Sequence, residues 1–179
     1  MKRTSTIVVV GVVALVAGIT TGQILSRQTS DHPVVSYEPD FSVGDIFPDL
    51  EVVDDSKRTT STRTLLENKG AVVLFVDPEC PPCTDLVSRW QHHIDQGLID
   101  RGDIVGIAMR DPASISRYRE ESRLTFSIYA DPQGQFQKSY GVKFLPLEIV
   151  VGMTGTINSI RQGAESPIDI ERIYDLIVQ

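Results

Sequence analysis

Two cysteines stand in 179 residues, and only two residues separate them: Cys80-Pro81-Pro82-Cys83. A dithiol at this spacing can close to a disulfide and open again. The nucleophile in that exchange is the thiolate, and a free thiol has a pKa near ~8.5, so the surroundings must favour ionisation. The surroundings here are suggestive. An apolar run, Leu74-Phe75-Val76, breaks off at Asp77-Pro78-Glu79 just before the pair, and Thr84 to Leu98 then shows helical apolar spacing. The cysteines therefore sit where a strand hands over to a helix, with Cys80 near the first turn. The unpaired N–H groups and positive dipole end of a helix stabilise a thiolate there. Cys80 is expected to attack, and Cys83, one turn on, to resolve the mixed disulfide. Pro81 and Pro82 fix two φ angles and remove N–H groups that an early helical position leaves unpaired anyway.

Other readings of the pair are weaker. A zinc site needs four ligands, and no second cysteine pair exists. His92 and His93 lie nine and ten residues beyond Cys83, roughly 14 Å along the same helix and too far to share a metal. No metal or cofactor is expected. A purely structural bridge is the remaining alternative, but so small a loop constrains little chain entropy.

The elements that must hold the pair follow from the rest of the chain. Met1-Lys2-Arg3 precedes an uncharged span from Thr4 to Ser26, closed by Arg27, whose most apolar part is Ile7 to Ile19. The span is long enough to cross a bilayer, with Lys2 and Arg3 left on the cytoplasmic side and the rest of the chain exported. Residues 1–27 are thus expected to be an uncleaved signal anchor, with a cleaved signal peptide as the alternative. Both place the cysteines outside the cytoplasm, where a disulfide persists. All 24 acidic residues lie beyond Arg27, so the exported part is more acidic than the whole chain's −7. That argues against nucleic acid as a partner and against an anionic membrane surface.

Residues 28–40, with Pro33 and Pro39, read as a linker, and residues 41–179 as one domain. Phe41 to Val53 is expected to open it as an extended edge segment limited by Pro48, with a short helix over Thr60 to Glu67 capped by Ser61 or Thr62. Ala71 to Val76 reads as a central buried strand. In the following helix Leu86, Val87, Trp90, Ile94 and Leu98 share a face, and Trp90 is expected in the core. Strands follow at Asp103 to Met109 and Leu124 to Ala130, with a helix from Pro112 to Glu121 between them. A short helix spans Gln135 to Tyr140. Leu147 to Val151 and Thr156 to Arg161 form a hairpin. A last helix, Ile168 to Val178, starts at Ser166-Pro167 and turns Ile170, Ile173, Tyr174 and Ile177 inward. This order is an α/β class: a sheet with helices on both faces and a C-terminal antiparallel hairpin. In open sheets of this kind the site lies at the carboxyl ends of the strands.

From Phe41 to Gln179 the chain resembles the thioredoxin superfamily, and within it the membrane-anchored bacterial thiol-disulfide oxidoreductases of the TlpA, ResA and MauD-like branch. Three features carry the resemblance: Val43-Gly44-Asp45-x-Phe47-Pro48, Phe75-x(4)-Cys80-Pro81-Pro82-Cys83, and Tyr140-Gly141-Val142 leading to Leu145-Pro146. It implies a thioredoxin-like fold with a central mixed sheet, and a cis Pro146 packed beside the cysteines. It also implies that Leu145 offers its backbone to a partner peptide. The expected partners are an exported client protein with a disulfide or thiols, a membrane electron donor, and the membrane itself through the N-terminal helix. Cytochrome c biogenesis is one client pathway the branch suggests.

The chain also departs from these relatives. Leu74 stands six residues before Cys80, where thioredoxins carry a buried Asp, and Leu86 stands three after Cys83, where the ResA type carries a Glu. Asp77, Glu79 and Asp85 are the nearest acids, and Glu79, next to Cys80, would oppose its thiolate by like-charge repulsion. Reduction of client disulfides is the favoured function. The same dithiol run as an oxidant is the alternative. A peroxidase is disfavoured because Val73 and Val76 stand where the Pro-x-x-x-Thr/Ser-x-x-Cys signature needs proline. A copper-delivery module is disfavoured because related carriers use a wider cysteine spacing and a distal His.

Overall fold

The structure is a computed structural model that describes residues 39–164 and 167–179. The anchor expected over residues 1–27 and most of the linker lie outside the described residues. Among the described residues no helix is long and apolar enough to cross a membrane.

Seven strands form one mixed sheet. They are β1 (Glu51–Val53), β2 (Thr59–Ser61), β3 (Ala71–Val76), β4 (Ile104–Ala108), β5 (Ser127–Ala130), β6 (Leu147–Val151) and β7 (Ile157–Gln162). The spatial order is β2-β1-β5-β4-β3-β6-β7. β3, β4 and β5 run parallel, while β6 pairs antiparallel with both β3 and β7. β3 is central and all six of its residues are buried, as its unbroken apolar run requires. Alternation along β3 splits the core. Val72, Leu74 and Val76 face one layer, and Ala71, Val73 and Phe75 the other.

The helices α1 (Thr62–Leu66), α2 (Pro81–Asp95), α3 (Pro112–Glu121), α4 (Gln135–Tyr140) and α5 (Ile170–Ile177) divide between these layers. Buried residues of α2, α3 and α5 pack with Leu74. Leu66 of α1 and Phe136 of α4 pack with Phe75 on the opposite face. There Phe75 and Phe136 meet edge-on with centroids 4.3 Å apart. The segment before β1 is laced onto this face. Thr62 Oγ1 donates to the Pro48 carbonyl at 2.6 Å and accepts from Leu50 N at 2.9 Å. Gly44 and Asp45 exchange backbone hydrogen bonds with Ile157, each 2.8 Å, at the start of β7.

Several expectations hold to the residue: β3, β6, α3 and α4. Others are corrected. The opening segment is not one edge strand. β1 and β2 form a hairpin, and β2 is the edge. Pro48 precedes the strand rather than limiting it. Ser61 is the cap of α1, accepting from Thr64 N. α2 does begin with Pro81 and Pro82 in its first turn, as expected. Leu98 falls beyond its end and is 49% exposed. β5 is shortened to Ser127–Ala130, with Leu124 and Phe126 buried in the approach to it. Asp169 caps α5, and Tyr174 points outward while Ile173 and Ile177 are buried.

Candidate functional site

β3 ends at Val76, and the next four residues turn the chain onto α2. Asp77 organises that turn. Its Oδ1 accepts from Glu79 N at 2.8 Å, and its carbonyl accepts from Cys80 N at 3.0 Å. Cys80 is the N-cap of α2, and Cys83 N and Thr84 N donate to its carbonyl. The two cysteines are joined as a disulfide with Cα atoms 5.2 Å apart. They differ in access: Cys80 is half-buried, whereas Cys83 has no exposed surface. Pro81 and Pro82 are exposed beside them.

Across the turn lies the loop between α4 and β6. The Leu145–Pro146 peptide is cis, and Pro146 is buried. The Leu145 carbonyl oxygen lies 3.9 Å from Cys80 Sγ. The residues read from the sequence as the site are thus brought together by three elements: the end of β3, the start of α2 and the start of β6. A cleft of about 670 Å³ opens beside them, lined by Pro82, Asp85, Leu145, Pro146, Gln162 and Gly163. Arg89 donates to the Ala164 carbonyl at its floor. Another hollow, about 620 Å³, sits at the opposite end of β3 between Ile46, Arg63 and Met153, away from the cysteines.

The expected opposition between Glu79 and the Cys80 thiolate is offset in part by a residue the sequence reading missed. Arg110, just past β4, places Nη2 at 2.6 Å from Glu79 Oε2 and binds Asp77 through Nε at 3.0 Å. Its own acidity is weakened further by Asp77 and then by Glu79. Two acids and one guanidinium at the mouth leave a local balance far less negative than Glu79 and Asp77 alone. His92 and His93 are on α2 away from the cysteines; His93 is held towards its neutral form, chiefly by burial. No group of three or more metal-ligating side chains occurs among the described residues.

A second missed residue lies on β6, bonded to Trp90 of α2. Glu148 is 2% exposed. It is the cross-strand partner of Leu74 on β6. Its Oε2 accepts from Trp90 Nε1 at 3.0 Å, and Arg161 Nη1 lies 3.2 Å from its Oε1. Burial pushes its carboxyl above the usual range, with Arg161, Trp90 and Arg89 pulling the other way. Its signal in the sequence was one acid inside Leu147-Glu148-Ile149-Val150-Val151, a run otherwise suited to a buried strand.

The profile of the AhpC/TSA family matches residues 43–160. The peroxiredoxin bcp1 of Schizosaccharomyces pombe is 21% identical over 110 residues, which is 60% of this chain and 56% of that protein. This chain therefore spans little more than half the length of that relative. The thiol-disulfide oxidoreductase ResA of Oceanobacillus iheyensis is 23% identical over 145 residues, 79% of this chain and 72% of that one. Among solved structures, the thioredoxin domain of a thiol-disulfide oxidoreductase from Bacteroides vulgatus superposes with a TM-score of 0.62. It is 18% identical and covers 76% of this chain and 99% of its own. The thioredoxin-like fold expected from the sequence is thereby shown.

Proposed function

The chain belongs to the AhpC/TSA family of thioredoxin-like proteins, and on that premise we propose that it is a thiol-disulfide oxidoreductase working on other proteins through Cys80 and Cys83. The observation that carries the reading is the unequal access of the two sulfurs. Cys80 caps a helix and is half-buried beside the cleft, where the positive end of the helix dipole favours a thiolate. Cys83 is covered and can be reached only by the sulfur next to it. In the reducing direction, the Cys80 thiolate attacks a client disulfide and one client thiol leaves. Cys83 then attacks Cys80, the second client thiol leaves, and the Cys80–Cys83 bond re-forms. The cleft and the Leu145 carbonyl suit an extended peptide held partly by main-chain bonding, with little demand on its sequence.

The location in this reading is extracytoplasmic. Residues 1–27 anchor the domain, the clients are exported proteins, and a membrane donor restores the dithiol. What supports it is the uncharged span after Lys2 and Arg3 and a disulfide that persists outside reducing compartments. The test is insulin reduction by the full chain. Cys80→Ser should abolish turnover, and Cys83→Ala should accumulate mixed disulfides with client chains. Normal turnover by Cys80→Ser overturns the reading.

A peroxidase is the second reading, favoured by the family match and the peroxiredoxin relative. Against it, Val73 and Val76 are buried strand residues where the peroxidatic signature needs proline. Peroxide consumption by the purified protein, lost in Cys80→Ser, would establish it.

A further inference from the structure

The second half of the proposed exchange has a chemical requirement that Cys80 does not share. Cys83 must become a thiolate while buried among Leu86, Val87 and Leu74. An apolar environment raises a thiol's pKa, so the proton needs an acceptor inside the protein. Leu74 and Leu86 are apolar and provide none. Asp77 is committed to Arg110 and to Glu79 N. Tyr118, also in this layer, is held protonated by burial. Asp131, the other buried carboxylate among the described residues, accepts from Phe136 N in the opposite layer.

We infer that Glu148 is the internal base for Cys83. This rests on the dithiol reading above and adds the group that moves its proton. Glu148 lies beside Leu74 in the sheet, two residues after Pro146, with its carboxylate turned into the layer that holds Cys83 and Trp90. Arg161 of β7 and Arg89 of α2 are cations near it, and Trp90 of α2 donates a hydrogen bond. The cations keep a carboxylate possible at a buried site, while burial strengthens its hold on a proton.

The step balances within the protein and its client. The Cys83 S–H proton passes to the Glu148 carboxylate. The freed electron pair forms the bond to Cys80 Sγ, the bond from Cys80 to the client sulfur breaks, and the client leaves as a thiolate. That thiolate, or water, then takes the proton from Glu148. No outside oxidant or reductant enters.

The experiment uses the reduced full chain with 5,5′-dithiobis(2-nitrobenzoate), following thionitrobenzoate release across pH. The first release reports attack by Cys80 and the second reports resolution by Cys83. In Glu148→Gln, which keeps an acceptor for Trp90, the first release should be unchanged. The second should slow by at least about tenfold at neutral pH. Its pH profile should lose the inflection of the parent and climb steadily with hydroxide. Glu148→Asp should restore part of the rate. If Glu148→Gln does not fold, Arg161→Gln serves instead: removing that cation should shift the inflection to higher pH. Identical second-release profiles in parent and Glu148→Gln, or an unmoved inflection in Arg161→Gln, overturn the assignment and leave the dithiol reading intact. Absence of a second release in the parent overturns both.

Discussion

Arg110 reaches from the end of β4 to Glu79 with its Nη2 2.6 Å from the carboxylate, while its Nε holds Asp77. The acid immediately before the exposed cysteine is therefore matched by a cation from the neighbouring strand. Arg110→Gln leaves Glu79 and Asp77 unopposed beside Cys80. The Cys80 thiolate should become less stable and its alkylation by iodoacetamide at neutral pH should slow by roughly threefold, the scale of an exposed ion pair. The effect should fade in high salt. Glu79→Gln should act in the opposite direction, speeding alkylation.

Trp90 and Glu148 form a buried hydrogen bond across two elements. Trp90→Phe leaves Glu148 Oε2 without that donor and should cost about 1–3 kcal/mol in urea unfolding. Glu148→Gln keeps an acceptor for that donor, so Trp90→Phe should cost nearly as much in the Glu148→Gln background as in the parent, and a double-mutant cycle should return only a small coupling.

The raised pKa of Glu148 makes a statement about stability. A carboxyl whose folded value lies above its ordinary 4.5 binds its proton more tightly in the folded chain than in the unfolded one. Folding stability from this group is therefore greatest below that ordinary value and falls as pH rises through the folded value. Thermal melts should show this decline, and Glu148→Gln should flatten it. His93 acts in the other direction. Its lowered value costs stability as pH falls below 6.5, so His93→Gln should soften the acid side of the same curve.

Packing in the layer away from the cysteines is equally testable. Phe136 has no exposed surface and meets Phe75 edge-on. Phe136→Ala should cost about 3–5 kcal/mol. Gly70 is a sharper case. A Cβ there would collide with the Ile177 carbonyl and lie 2.7 Å from the Val151 carbonyl. Gly70→Ala should destabilise by about 1–3 kcal/mol by pushing α5 off the sheet.

The parts legible in the sequence were those with a strong local signal. The unbroken apolar run of β3 placed the cysteines at a strand end, and Asp111-Pro112 marked the start of α3, where Asp111 does cap Ala113 and Ser114. The parts that were not legible depend on pairing. β1 and β2 are three residues each, too short for alternation to show. Arg110 stands 30 positions from Cys80, and only the parallel register of β3 with β4 brings it to Glu79. Glu148 is similar. The chain lacks an acid at Leu74, and nothing local says that the neighbouring strand supplies one. Only the antiparallel register sets Glu148 beside Leu74.

The two rims of the sheet have a consequence for how the protein handles loosely folded chains. β2 offers just three residues, and the first residue of β7 is already bonded by Gly44 and Asp45. A bare rim would be a template on which any extended polypeptide could add as another strand and stay. With β2 this short and the start of β7 already taken up, a passing chain finds no long bare edge at these two places on which to stack.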